Sequence, residues 1–235
     1  MGQVILPSIE KRTATWLEVN RKLRLGKDVE KKYSITISRE YGCNAYPLSL
    51  ELKRLLDKED NEWSIFDKQL VQKASENSNF TERLLEQVGE SSRYMDAFVS
   101  TFKPNWQKDI DGYKVLWKQI LGAAKQGNAI IVGRGSSFIT QELDNCFQFH
   151  LTASKSFRID TVAARHGITK LEAEEEVEKN ESLRHQFLKK FLQQESFNPI
   201  NYHIVFNNEH LDYKLIAKMI LTYLHEKTGS EAFKN

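Results

Sequence analysis

The segment Gly133-Arg134-Gly135 places an arginine between two glycines, immediately after the apolar run Ala129-Ile-Ile-Val132. An arginine in that position adds little to packing, and its planar fork of donors suits a phosphate held through two bonds at once. A helix-capping contact or an ion pair at a sheet edge is the competing structural use. A second candidate is the turn Arg39-Glu-Tyr-Gly-Cys-Asn44, which leads from a β-branched run into a leucine-rich segment entered at Pro47. Where a strand feeds a helix, the first backbone N–H groups lack helical partners and the helix dipole favours an anion. The turn holds one glycine, Gly42, and no lysine followed by Ser or Thr, so it departs from G-x-x-x-x-G-K-[ST]. An ordinary strand-to-helix turn is the alternative. Arg158 and Arg165 fall seven residues apart, hence on one helix face, and Arg184 lies on the next charged segment. Arginines on helices are otherwise surface residues, so these three gain interest only by flanking the same edge.

Other reactive side chains carry less. Cys43 and Cys146 are far apart and lack paired Cys or Cys/His ligand spacing, which argues against a structural zinc and for a reducing compartment. A thiol near a helix N-terminus can be activated, yet Cys43 reads more simply as a small residue in place of serine. His150, His166 and His185 form no metal-ligand set, and separated Ser, His and Asp residues establish no triad. The sequence therefore predicts no bound metal of its own.

These residues must be positioned by a core, and composition sets its class. The 235 residues are 40% hydrophobic, 28% charged and 11% aromatic, the balance of a globular chain rather than a disordered one. Thirty-four Lys and Arg against 32 Asp and Glu leave a net charge of +2, too weak a field for a nucleic-acid binder. No stretch approaches the roughly 20 apolar residues that span a bilayer, and the opening residues lack an apolar secretion core. Cytoplasmic residence without a membrane contact is the expectation. Leu6 stands where myristoylation of Gly2 would want Ser or Thr.

Along the chain, Ser8 to Lys32 reads as a basic amphipathic helix, a packing extension or an arm for a protein partner or a second copy. Tyr33–Ser38 reads as a buried strand, and Pro47 with Leu48, Leu52, Leu55 and Leu56 as a helix. Trp63–Asp67 reads as a second strand, Lys68–Ala74 and much of 80–126 as helix broken near Phe102-Lys-Pro-Asn, and Ala129–Val132 as the most apolar strand. Cys146–Leu151 leads through Thr152-Ala-Ser154 into a helix ending at Arg165-His-Gly167. Thr169-Lys-Leu-Glu172 has the capping-box pattern and opens a charged helix to about Gln193. Tyr202–Phe206 reads as the last strand and Leu211–His225 as the closing helix. Strands alternating with helices predict an α/β fold with a mostly parallel sheet and a ligand at the carboxyl ends of the strands.

Several of these segments resemble the bacterial cytidylate kinase-like family in their order. The matching runs are Ile35-Thr-Ile-Ser-Arg-Glu-Tyr-Gly42, Phe66-Asp67-Lys-Gln-Leu-Val71, Ala129-Ile-Ile-Val-Gly-Arg-Gly135, Phe147-Gln-Phe-His-Leu-Thr-Ala-Ser154 with Arg158, and Asn201-Tyr-His-Ile-Val-Phe-Asn207. The resemblance implies a three-layer P-loop nucleoside monophosphate kinase fold over residues 33–225. Residues 1–32 would be an extension, 67–126 a helical monophosphate-binding insert, 165–195 a lid and 226–235 a tail. It further implies ATP and Mg²⁺ as cofactors and transfer of the γ-phosphoryl group to a pyrimidine nucleoside monophosphate. Carried over, Arg39 and the turn Gly42, Cys43, Asn44, Ala45, Tyr46 and Pro47 would hold ATP. Gly133, Arg134, Gly135 and Asp67 would hold the acceptor, and Arg134, Arg158, Arg165 and Arg184 would act on the phosphates. The chain departs from the family where Gly-Ser-Gly-Gly-Arg-Glu is replaced by Gly42-Cys-Asn-Ala-Tyr-Pro47, Asp by Gly135, and Asp by Glu181. The departures support an alternative, a kinase-fold protein that has lost transfer and serves regulation or protein interaction.

Overall fold

The computed structural model describes residues 32–58, 61–67, 107–192 and 197–234. The expected N-terminal arm, the helix at 68–74 and the turn at 102–105 lie outside them. Five parallel strands form one sheet: β1 (Ser34–Arg39), β2 (Ser64–Phe66), β3 (Ala129–Val132), β4 (Cys146–Thr152) and β5 (Ile204–Asn207). Their spatial order is β2-β3-β1-β4-β5. β1 is therefore central, with Thr36 opposite both Ile131 and Gln148. Among the described residues six α-helices accompany them: α1 (Ala45–Leu56), α2 (Gln107–Gln126), α3 (Ser136–Ile139), α4 (Lys155–His166), α5 (Lys170–Leu192) and α6 (Tyr213–Thr228). No helix among the described residues is long and apolar enough to cross a membrane.

Side-chain alternation along the strands builds the layers, since successive residues point to opposite faces. Ile35, Ile37, Phe147, Phe149 and Leu151 pack with Leu48, Leu52 and Leu56 of α1 and Ile216, Ile220 and Leu224 of α6. On the other face Ala129, Ile131, Cys146 and Phe66 pack with Ile120, Ala123 and Ala124 of α2 and Ile139 of α3. A parallel sheet covered on both faces needs apolar residues at nearly every position, and β3 supplies them. Gln148, a polar residue of β4, has local partners: its side-chain amide donates to the Thr140 carbonyl at 3.1 Å.

The ends of the helices are set by their caps. Ser154 accepts from the Phe157 N–H, Gly167 closes α4 with φ near 67°, and the Thr169–Glu172 box forms as its spacing predicts. Asp212, rather than Leu211, sets the start of α6, because its carboxylate accepts from the N–H groups of Lys214 and Leu215. The last strand begins at Ile204 instead of Tyr202, since a 3-10 turn at Pro199–Asn201 precedes it and turns the Tyr202 ring onto His150.

Gly42 is required by both conformation and space. Its φ is +98°, and a Cβ there would lie 2.7 Å from the Arg158 Cβ and 2.7 Å from its carbonyl oxygen. Gly42→Ala should lower unfolding stability by about 2–4 kcal/mol through left-handed strain and overlap with backbone. Chemical denaturation checks this.

Candidate functional site

The carboxyl edge of β1, β3 and β4 gathers most of the arginines singled out in the sequence. Arg39 ends β1, and its guanidinium lies over Gly133, where an added Cβ would stand 2.0 Å from Nη1. The glycine after β3 is thus the floor on which Arg39 rests. Arg134, with φ of +60°, occupies the turn between left-handed Gly133 and Gly135. Asp67, at the end of β2, is near enough to favour the charge of Arg134, while burial opposes it and holds this guanidinium below its ordinary value. Arg39 is held below its ordinary value too, first by burial and then by repulsion from Arg184 and Arg134. Arg184 reaches the group from α5. Among the described residues neither Arg39 nor Arg184 forms an ion pair with a carboxylate, so the edge carries positive charge. A cleft of about 690 Å³ opens beside it, lined by Glu40, Glu181, Arg184, His185, Lys189 and Phe197 among others.

Arg158 differs in kind. It is 6% exposed and bonded to the protein itself. Nε donates to the Ala153 carbonyl at 3.2 Å, and Nη1 donates to the Tyr41 carbonyl at 3.3 Å and to Glu181 at 2.5 Å. Glu40, 3.6 Å from Nε, accepts in turn from the Thr152 hydroxyl and the Ala153 N–H. One side chain therefore ties the turn after β1, the end of β4 and α5 together. Tyr41 adds a hydrogen bond to Glu176 on α5, and burial together with this partner pushes the phenol up to about 12. Exposed pairs from Lys155 to Glu174 and Glu178 secure α5 against α4, each contributing little alone. Arg165, on the same face as Arg158, is exposed and donates to the Asn44 side chain at 2.9 Å.

The turn itself is closed on internal partners. The Cys43 N–H donates to the Glu40 carbonyl, the Ala45 N–H to the Cys43 carbonyl, and the Asn44 N–H to Asn208 Oδ1 at 2.7 Å. A phosphate cradle needs such groups turned outward and unspent. Cys43 is 5% exposed and burial pushes its thiol up to about 12, which makes it a packing residue rather than a nucleophile. Ala45 is buried as well, while Tyr46 and Pro47 form the first turn of α1. As folded, the Gly42–Pro47 turn does not fit a triphosphate. Among the described residues no group of three His, Cys, Asp or Glu could hold a metal ion.

The sequence did not single out His150, Phe197 or Tyr202 for this site. His150 is 1% exposed beneath the cleft, and neither ring nitrogen has a hydrogen-bond partner among the described residues. The Phe197 and Tyr202 rings pack against it at a tilt, with centroids at 4.5 and 4.9 Å. Burial, then Arg184 and Arg39, lower its pKa to about 3. The available signal was its place in β4, where Cys146, Gln148 and His150 alternate with the core residues Phe147, Phe149 and Leu151.

Comparison with known proteins gives this geometry a context. The model of the cytidylate kinase-like family matches residues 34–210. No curated protein matches the chain. The crystal structure of an uncharacterized protein from Eubacterium ventriosum ATCC 27560 is similar in fold, with a TM-score of 0.61 at 16% identity, covering 82% of this chain and 98% of that one.

The packing of the site sets the cost of losing its arginines. Arg158→Ala should cost about 2 kcal/mol or more, because Ala153, Tyr41 and Glu181 lose one shared donor, whereas exposed Arg165→Ala should stay within about 0.5 kcal/mol. Urea denaturation of the two variants compares them. His150 is neutral in the folded chain well below its ordinary value of 6.5, so its contribution to stability is full above pH 6.5. That contribution is lost as pH falls from 6.5 toward 3, with a slope of up to about 1.4 kcal/mol per pH unit. Unfolding measured across that range should show the slope, and His150→Gln should flatten it.

Proposed function

The chain belongs to the cytidylate kinase-like family, and on that footing we propose that it binds the phosphate of a nucleoside monophosphate at the edge formed by Arg39, Arg134 and Arg184. The observation that carries this reading is the cluster itself: Arg39 held over Gly133, repelled by Arg134 and Arg184, and given no carboxylate among the described residues. Guanidinium groups match phosphate oxygens in geometry and are weakly hydrated, so an arriving phosphate relieves their repulsion at modest desolvation cost. Gly133 and Gly135 keep the turn low enough for Arg134 and the ligand, and Asp67 lies near enough to favour the Arg134 charge. Arg158 serves the site indirectly, by holding α5 and its Arg184 against the turn after β1.

Two readings diverge once the monophosphate is bound. In the first, the chain transfers the γ-phosphoryl group of ATP, with Mg²⁺, to a pyrimidine monophosphate. Catalysis then depends on positioning the two phosphates in line and stabilising the charge between them. In the second, it holds a nucleotide without transfer and acts in regulation. The internal bonding of the Cys43, Asn44 and Ala45 N–H groups favours the second reading, since the donor side would have to break these bonds before it could take a triphosphate.

Calorimetry with a panel of nucleoside monophosphates, and separately with ATP and Mg²⁺, tests the proposal. At least one monophosphate should bind, and Arg39→Ala or Arg134→Ala should weaken it roughly ten- to hundredfold. Arg54→Ala, on the far exposed face of α1, should leave it unchanged. Absence of binding by every monophosphate contradicts the proposal. Rapid formation of diphosphate in a coupled assay would favour the first reading over the second.

A further inference from the structure

His150 is out of place as a packing residue. A buried imidazole ordinarily satisfies at least one ring nitrogen, because an unpaired polar group removed from water costs free energy without return. Here both nitrogens lack a partner among the described residues, although the Ser38 hydroxyl, which accepts from Tyr202 at 3.4 Å, lies on the neighbouring strand. The charged groups acting on the ring are Arg39 from β1 and Arg184 from α5; from the segment before β5 it meets the Phe197 and Tyr202 rings. Both charged neighbours are cations, and they are two of the three arginines of the proposed phosphate edge. Phe197 separates the ring from solvent and also lines the cleft, being 39% exposed itself.

A tetrahedral dianion seated between Arg39 and Arg184 would reverse the field at this ring. It would cancel the repulsion of both guanidinium groups and offer oxygen acceptors to a nitrogen that has none. We propose that His150 is a fourth anion-binding group of this cleft, which takes a proton from solvent and donates it in a hydrogen bond to the phosphoryl oxygen held by Arg39 and Arg184. Binding is then linked to uptake of a proton, and the site grips its ligand more firmly in mild acid. This rests on the reading of the arginine edge as a phosphate site, and it adds that the ligand group is recognised as a full dianion: a group carrying one negative charge, such as a phosphodiester, would cancel less of the field.

Sulfate is the suitable probe because, unlike phosphate, it does not itself titrate near neutrality. Calorimetry of sulfate binding near pH 6 in two buffers of different ionisation enthalpy reads the protons taken up, and histidine ring shifts of the unmodified chain read which residue takes them. The expected result is net uptake, roughly three- to tenfold tighter binding at pH 5.5 than at pH 7.5, and one histidine signal whose titration moves upward with sulfate. That signal and the uptake should both vanish in His150→Gln. Sulfate binding with no uptake and no shifted histidine overturns the role of His150 and leaves the arginine edge standing. Uptake that persists in His150→Gln overturns it as well, and no sulfate binding overturns both. Should the variant not fold, the shifts of the unmodified chain decide.

Discussion

At the carboxyl edge of a parallel sheet Arg39 lies across Gly133 and meets the like charges of Arg184 and Arg134, and this gathering of guanidinium groups is the constraint around which the site is built. Like charges gathered partly out of water carry a cost that an opposite charge offsets. Here the sheet order makes the gathering unavoidable: β1 is central, β3 lies on one side of it and β4 on the other, so residues that end these strands converge. Gly133 allows Arg39 to lie flat across the turn, and the packing of α5 on α4 delivers Arg184 from outside. The chain tolerates the charge because most of its stability resides elsewhere, in the two apolar layers on either side of the sheet.

Arg158 shows how a neutralised arginine differs from these three. Its charge is matched by Glu181 and Glu40, its guanidinium also donates to backbone carbonyls, and its backbone leaves Gly42 no room for a side chain. This side chain is a clamp joining three parts of the fold. The Glu40–Ala45 turn is likewise closed, on Asn208 and on its own carbonyls.

Much of this was legible from residue order. Alternation of β-branched runs with helical segments predicted the parallel sheet, and the Thr169–Glu172 box and Gly167 predicted helix ends that the structure places as expected. Arg134 between glycines was also legible, because conformational freedom at Gly133 and Gly135 has a local cause. The fates of Arg39 and Arg158 were not. Both come after strands or caps in the sequence, and only the three-dimensional neighbours decide that one lies over Gly133 while the other is bonded to Glu181. His150 was hidden for a related reason: within a strand buried on both faces, nothing in the sequence distinguishes a ring whose nitrogens are satisfied from one whose nitrogens are not.

The proposed function stands or falls on whether the three arginines, rather than the turn after β1, receive the phosphate. Anomalous scattering from a crystal of the full chain soaked with selenate, a tetrahedral dianion whose position is unambiguous, decides this most directly. One strong peak is expected within hydrogen-bond reach of the guanidinium groups of Arg39, Arg134 and Arg184. A peak cradled instead by the N–H groups of Gly42 to Ala45, or no peak at the arginine edge, would refute it.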